Sequence, residues 1–238
     1  MSTMIATRDG FGEELVRLGK ANDRIVVVSA DLEDATRAEY FKTAFPGRFF
    51  SMGIAEQDMV GTAAGLSLMG FIPFINSFAV FLTNRAYDML RMDLCYNNCN
   101  VKIVCSHAGL TVGEDGASAQ CLEDLALMRV LPNMVVICPV DTIEAQKATR
   151  AIAAAKGPMY LRTSRAPLPV LTKESDPFRI GKANVLREGK DVTIFGCGTM
   201  VSEALQAAEI LGKEKISARV VNMHTIKPID EDMIIRCA

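Results

Sequence analysis

The run MVGTAAGLSLMGFIPFINSFAVFLTN, Met59 to Asn84, carries no charged residue over a length greater than a membrane span requires. Two readings compete for it: one helix crossing a bilayer, or a helix, a turn and a strand inside a soluble core. Gly61, Gly65, Gly70, Pro73 and Asn76 punctuate the run, and such punctuation favours the second reading. The pattern predicts a helix from about Glu56 to Leu68, a turn at Gly70 and a buried strand from Phe71 to Ile75. No membrane partner is expected.

The same alternation extends outward in both directions. Toward the N-terminus, apolar residues recur at helical spacing from Gly12 to Leu18, and the unbroken run Ile25 to Val28 reads as a strand buried on both faces. That strand ends at Ser29-Ala30-Asp31. Toward the C-terminus the pattern predicts helix Ala79 to Asp93, strand Val101 to Ser106, helix Leu122 to Arg129, strand Met134 to Cys138, helix Thr142 to Ala154 and strand Met159 to Arg162. Strands alternating with helices imply an α/β fold, a mostly parallel sheet covered on both sides. Right-handed crossovers place the loops after the strands along one sheet edge. Asp31, Asn76 with Phe78, and His107 all follow predicted strand ends, so they can converge in space although distant in sequence.

From Ser164 to Arg179 the texture changes, with Pro167, Pro169 and Pro177 among Lys173, Glu174 and Asp176. The expected organisation is a first domain at 1–165, a linker at 166–180 and a partial second α/β unit at 181–238. In that second unit an extended stretch around Ala183 to Leu186 precedes strand Val192 to Phe195, a Gly196-Cys197-Gly198 turn, helix Val201 to Leu211 and strand Ala218 to Val221. Its strands need further neighbours, from a partner or from more chain.

Composition narrows the partners. The chain has 238 residues, half of them hydrophobic, with 26 basic and 28 acidic residues and a net charge of −2. No Lys/Arg run tracks a phosphate backbone, so nucleic acid is not an expected partner. Seven cysteines, odd in number and scattered, read as reduced thiols in a cytoplasmic protein. Cys95 and Cys99 lack metal-ligand spacing and are read as packing residues rather than a zinc site. Met1 to Gly10 lacks the apolar region of a secretory signal.

Several residues are candidates for chemistry, each with a bland competitor. Glu56 opens a helix whose following residues are uncharged. It is either a carboxylate favoured by the helix dipole or a buried acid able to share a proton with a ring nitrogen. Phe78 and Phe81, read as one helical turn apart, are core residues or a platform for a flat ligand. His107 ends a predicted parallel strand, on the edge where open sheets bind ligands; function and structural hydrogen bonding are both open. The turn Gly113-Glu114-Asp115-Gly116 is a solvated loop tip or part of a site. Arg162-Thr163-Ser164-Arg165 suits a phosphate or a surface ion pair.

The whole chain resembles the transketolase family, specifically its pyrimidine-binding domain and the start of its C-terminal domain. The resemblance rests on motifs in order: Ala6-Thr7-Arg8, Ser29-Ala30-Asp31-Leu32, Gly53-Ile54-Ala55-Glu56-Gln57, Phe78 to Phe81, Ser106-His107-Ala108-Gly109, Gly113-Glu114-Asp115-Gly116, Leu131-Pro132-Asn133 and Ser164-Arg165. It implies thiamine diphosphate as cofactor and transfer of a two-carbon ketol unit between sugar phosphates, as in the pentose phosphate pathway. It implies that Glu56 hydrogen-bonds the aminopyrimidine ring, promoting the tautomer that activates the cofactor. Phe81 with Phe78 then stacks on the pyrimidine, Asp31 lies near the cofactor at a subunit contact, and Ile54 props the bent cofactor. His107 and Asp115 contact the hydroxyls of the ketose, and Arg8 and Arg165 its phosphate.

Departures and absences shape the expectation. Ala119 stands where the family commonly has His, and Asn84 where a third aromatic often follows Phe81. The Gly-Asp-Gly motif of the family's diphosphate-binding domain, which holds Mg²⁺ (or Ca²⁺), does not occur. The resemblance therefore implies a split transketolase, with an N-terminal subunit supplying diphosphate and metal ligands in an α2β2 assembly, or one built round a homodimer of this chain. Three alternatives stay open: a subunit like deoxyxylulose-phosphate synthase, one like the beta subunit of 2-oxo-acid dehydrogenases, and a non-catalytic partner subunit.

Overall fold

Ile25–Ser29, the first long strand, is buried along its whole length and lies next to the edge strand of the main sheet. The computed structural model describes residues 3–238; Met1 and Ser2, which open the first predicted domain, lie outside the described residues. The chain begins with β1 (Met4–Ile5), α1 (Thr7–Ala21), β2 (Ile25–Ser29), α2 (Glu33–Thr36), α3 (Glu39–Ala44), β3 (Phe49–Ser51) and α4 (Glu56–Leu68). Then come β4 (Ile72–Phe78), α5 (Ala79–Arg85), α6 (Tyr87–Met89), a π-helical segment Leu90–Tyr96, β5 (Lys102–Ser106) and α7 (Asp124–Val130). β6 (Val135–Ile137), α8 (Thr142–Ala154), β7 (Met159–Arg162) and β8 (Leu168–Pro169) complete the first unit. The second holds β9 (Asn184–Arg187), β10 (Val192–Gly196), α9 (Met200–Lys213), β11 (Ala218–Asn222), β12 (Thr225–Lys227) and α10 (Glu231–Cys237).

Among the described residues the main sheet has seven strands in the order β12-β6-β7-β5-β4-β2-β3, all parallel except β12. Its faces bury alternate residues. Ile25, Val27, Phe74, Val104 and Leu161 pack with Phe11, Leu15 and Ile152 on the side of α1 and α8. Val28, Ile75, Ile103 and Cys105 pack with Met59, Val60, Leu82 and Leu90 on the side of α4 and α5. This two-sided burial is why the strands read as continuous apolar runs.

A smaller sheet, β10-β11-β9, carries α9 through Val201, Ala204 and Ala208 packed with Val220. β12 leaves that unit and pairs antiparallel with β6, extending the edge of the main sheet. The second unit thereby contributes one strand to the main sheet, while β10-β11-β9 remains a sheet of its own. Among the described residues no helix is long and apolar enough to cross a membrane.

Several expectations are corrected. The strand predicted to stop at Ile75 continues to Phe78; within it the buried Asn76 donates from its amide nitrogen to the Val104 carbonyl at 3.2 Å. Phe78 therefore ends a strand and does not share a helix with Phe81. The helix expected over Ala79 to Asp93 divides into α5, α6 and the π-helical segment. α2, α3, β3 and β12 carry too little periodicity to be read from sequence.

Candidate cofactor and substrate site

Strand register assembles the site. Ser29 of β2 lies opposite Asn76 of β4, and Phe78 opposite Ser106 of β5. The loops leaving these strands therefore share one edge, where Asp31 (φ 58°) and His107 (φ 59°) both adopt left-handed backbone conformations. Asp and His are among the non-glycine residues that adopt this conformation most readily.

Glu56 starts α4, where the helix dipole favours a carboxylate. It is 3 % exposed. Asp31, Leu32, Ile54, Glu56, Phe81 and Arg85 line a cleft of about 170 Å³. Ile54 stands largely exposed at its rim. Arg85 Nη1 donates to Glu56 Oε1 at 3.0 Å, and its guanidinium lies 4.4 Å from the centroid of Phe81.

Behind this cleft runs an aromatic stack. Phe81 and Phe78 are stacked at 5.6 Å, and Phe78 and the His107 ring at 3.8 Å. Phe78 thus sits between the cleft and the histidine rather than on the cleft wall. Ser106 Oγ and His107 Nδ1 share a hydrogen bond at 2.7 Å. Burial first, then the neighbouring Arg8, pushes the His107 imidazole down to about 4, so it is neutral near pH 7.

His107 Nε2 lies 3.5 Å from Asp115 Oδ2, and Arg165 Nε lies 3.4 Å from the same oxygen. Arg165 also donates to the Val112 carbonyl at 2.6 Å and pairs with Glu114. Arg8 comes to this cluster from α1. Its Nη1 donates to the Ala35 carbonyl at 2.7 Å, while its Nε is buried with no partner among the described residues. The Ser164 backbone N–H donates to Thr7 Oγ1 at 2.7 Å, tying the chain beside Arg8 to the chain beside Arg165. Burial, then nearby Arg37, lowers the pKa of Arg8, a sign of cations gathered at one spot.

The site therefore has two ends. One is a small cleft with a buried carboxylate and an aromatic face, suited to a flat nitrogen heterocycle. The other gathers Arg8 and Arg165 with His107 and Asp115, suited to a polyhydroxylated anion. Ala119 is buried against Phe78 and Val112, and Asn84 Nδ2 donates to Glu123 Oε1 at 2.8 Å on the surface. Among the described residues no three His, Cys, Asp or Glu side chains cluster as metal ligands.

Sequence reasoning passed over Arg37 and Arg85. Arg85 follows Phe81 by four residues on one helix, a spacing that puts both side chains on one face and was a readable signal. Arg37 reaches Arg8 only through the α2–α3 turn, where its Nε donates to Asp9 Oδ1 at 2.7 Å; no sequence periodicity marks it.

Comparison with known proteins is consistent across the whole chain. The family model described as transketolase, pyrimidine binding domain, matches residues 3–170, and that of the transketolase C-terminal domain matches residues 181–238. A putative transketolase C-terminal section from Methanocaldococcus jannaschii is 48% identical over 95% of this chain and 72% of its own length. The 6-deoxy-6-sulfo-D-fructose transketolase subunit of a Clostridium species is 42% identical over 97% of this chain and 72% of its own. A solved split-gene transketolase, described as an inactive beta4 tetramer, superposes with a TM-score of 0.91 at 47% identity, covering 99% of this chain and 77% of that one. The match to Rattus norvegicus transketolase, 41% identical over 98% of this chain, spans 38% of the relative. By both family matches and by these relatives, the chain belongs to the transketolase family, spanning its pyrimidine-binding domain and part of its C-terminal domain.

Proposed function

We propose that this chain is the pyrimidine-binding subunit of a split transketolase, which moves a two-carbon ketol unit from a ketose phosphate to an aldose phosphate. The observation that carries the reading is the shared cleft of Glu56 and Phe81, one aromatic stack away from the cluster of His107, Asp115, Arg165 and Arg8. Thiamine diphosphate fits the cleft end: a carboxylate there can hydrogen-bond a ring nitrogen, and the Phe81 face can receive a flat ring. When bound, the cofactor supplies the nucleophilic carbon that carries the two-carbon unit.

The chain's own residues do the rest. Glu56 holds or releases a proton at the pyrimidine nitrogen. Phe81, backed by Phe78, fixes the plane of the ring, while Ile54 and Asp31 border it. Neutral His107 exchanges hydrogen bonds with sugar hydroxyls and Asp115 accepts from them. Arg8 and Arg165 hold the sugar phosphate. A separate N-terminal subunit supplies the diphosphate and Mg²⁺ (or Ca²⁺) ligands in an α2β2 complex or one containing a homodimer of this chain. The relatives named as a C-terminal section and as a transketolase subunit support this division. The reading places the work in the cytoplasm.

A second reading, a non-catalytic partner subunit, draws on Ala119, whose methyl group packs on Phe78 and offers no donor to a sugar. One experiment separates the two. The chain is mixed with its N-terminal subunit, thiamine diphosphate, Mg²⁺, xylulose 5-phosphate and ribose 5-phosphate. Sedoheptulose 7-phosphate is expected, and Glu56→Gln should lower kcat by about 10²- to 10⁴-fold without changing assembly. An assembled pair with no ketol transfer overturns the proposal.

A further inference from the structure

Arg85 occupies both contacts that the proposed function assigns to an aminopyrimidine. Its guanidinium is planar, as the pyrimidine ring is. It lies over Phe81 at 4.4 Å and donates from Nη1 to Glu56 Oε1 at 3.0 Å. Glu56 is enclosed while Arg85 is not: their side chains are 4% and 49% exposed. A guanidinium lying over Phe81 and a pyrimidine ring stacked on it cannot occupy the same aromatic face at once.

We propose that Arg85 is a displaceable stand-in for the pyrimidine, a latch that covers Glu56 and Phe81 until the ring takes its place. This rests on the reading that the cleft receives an aminopyrimidine. The local structure permits the exchange. The Arg85 carbonyl accepts from Gln57 Nε2 at 3.0 Å, which anchors the backbone at the end of α5 while the side chain is free to turn outward. Its half-exposed position gives the guanidinium a direct route to water. The exchange also changes the charge state that the site rewards. Arg85 binds only an ionised Glu56, whereas a ring nitrogen can pair with the protonated acid. A half-exposed ion pair and a cation–π contact together favour the latched form by roughly fivefold.

The test uses the full-length chain with 4-amino-5-hydroxymethyl-2-methylpyrimidine, the cofactor's ring without its diphosphate, titrated by calorimetry at low and moderate salt. Arg85→Gln is expected to bind this probe about fivefold tighter than the unaltered chain, with a weaker salt dependence, and Arg85→Lys to fall between them. A ligand-free readout accompanies it. The Arg85 Hε resonance should be shifted upfield by the Phe81 ring, and both saturating probe and Glu56→Gln should return it toward the ordinary value. Equal or weaker binding by Arg85→Gln overturns the latch and makes Arg85 a positioning residue. An unshifted Hε resonance also overturns it. Probe affinity that ignores Glu56→Gln and Phe81→Ala in the Arg85→Gln background places the failure in the cofactor reading instead.

Discussion

Asp124 is the acid that holds the floor of the His107 loop, and Asp124→Asn is the sharpest test of how that loop is positioned. The carboxylate is fully buried. Oδ2 accepts from Arg162 Nε at 2.7 Å and from the Tyr160 hydroxyl at 2.8 Å, while Oδ1 accepts from Arg162 Nη2 at 3.2 Å. Gly109 lies directly above: a methyl group added there would sit 3.4 Å from Arg162 Nη2. Gly109 in turn pairs with Cys121, its N–H donating to the Cys121 carbonyl at 2.8 Å, which closes the loop that starts at His107.

Replacing the carboxylate by an amide leaves a largely buried guanidinium without its countercharge and turns one acceptor into a donor facing a donor. Breaking one side of such a pair costs about 3 kcal/mol. For a protein of this size that lowers Tm by roughly 6–12 °C. Tyr160→Phe, which removes one neutral hydrogen bond, should cost about 1 kcal/mol. The double variant should lose less than the sum of the two, because both act on the same carboxylate. Thermal unfolding reads the stabilities, and amide exchange at Gly109 and Cys121 should quicken in Asp124→Asn. A Tm loss under about 2 °C together with unchanged exchange at those amides would refute the argument that the network positions the loop.

Two further outcomes follow from the same geometry. His107 and His224 both stand at about 4, burial being the main cause in each, against an ordinary 6.5. The unfolded chain therefore binds more protons than the folded one between pH 6.5 and 4, so their contribution is intact above pH 6.5 and is lost as pH falls toward 4. Urea titrations should show stability dropping across that window by about 2–3 kcal/mol per histidine, with a shallower slope in His107→Asn; an unchanged slope counts against burial of a neutral His107. Gly10→Ala would bring a methyl group to 2.3 Å from the Thr142 carbonyl oxygen, where α1 meets α8. Forcing these helices apart should cost about 1–3 kcal/mol and, because Arg8 rides on the same helix, raise KM for the sugar phosphate; wild-type Tm in this variant would contradict the close packing.

Much of the fold was readable because burial and local signals agree in its central elements. Thr142–Ala154 matches its predicted limits, and the N-cap is visible in sequence: Asp141 accepts from the Glu144 N–H at 2.8 Å. Glu56–Leu68 matches too, framed by Gly53 and Gly70. Where the reading stopped short, polar residues had entered the core. Asn76 and Ser77 look like a loop, yet they are fully buried in β4, so Phe78 ends a strand rather than sharing a helix with Phe81. β12 was invisible for a different reason: its pairing with β6 joins residues almost ninety positions apart, and a three-residue strand carries no period of its own. The nearness of Asp31, Phe78 and His107 followed from parallel topology alone. The contact of Arg85 with Glu56 did not, because it depends on how α5 packs against the start of α4.

The electrostatics of the site sort its work along the aromatic stack. At the far end Arg8, Arg37 and Arg165 act on His107 in the same direction as its burial, all opposing an imidazolium. A histidine held neutral beside arginines can exchange hydrogen bonds with hydroxyl groups without competing for the anion those arginines attract. At the near end, the carboxylate of Glu56 is enclosed and its partner is a cation with a way out to solvent. On the proposed function, proton exchange belongs to Glu56 and anion binding to the arginines, with Phe78 and Phe81 stacked between them. On that reading the ring at the cleft and the phosphorylated polyol at the arginines are two separate molecules. That pairing of a bound ring with a separate sugar is the division of labour between cofactor and substrate that the proposed ketol transfer requires.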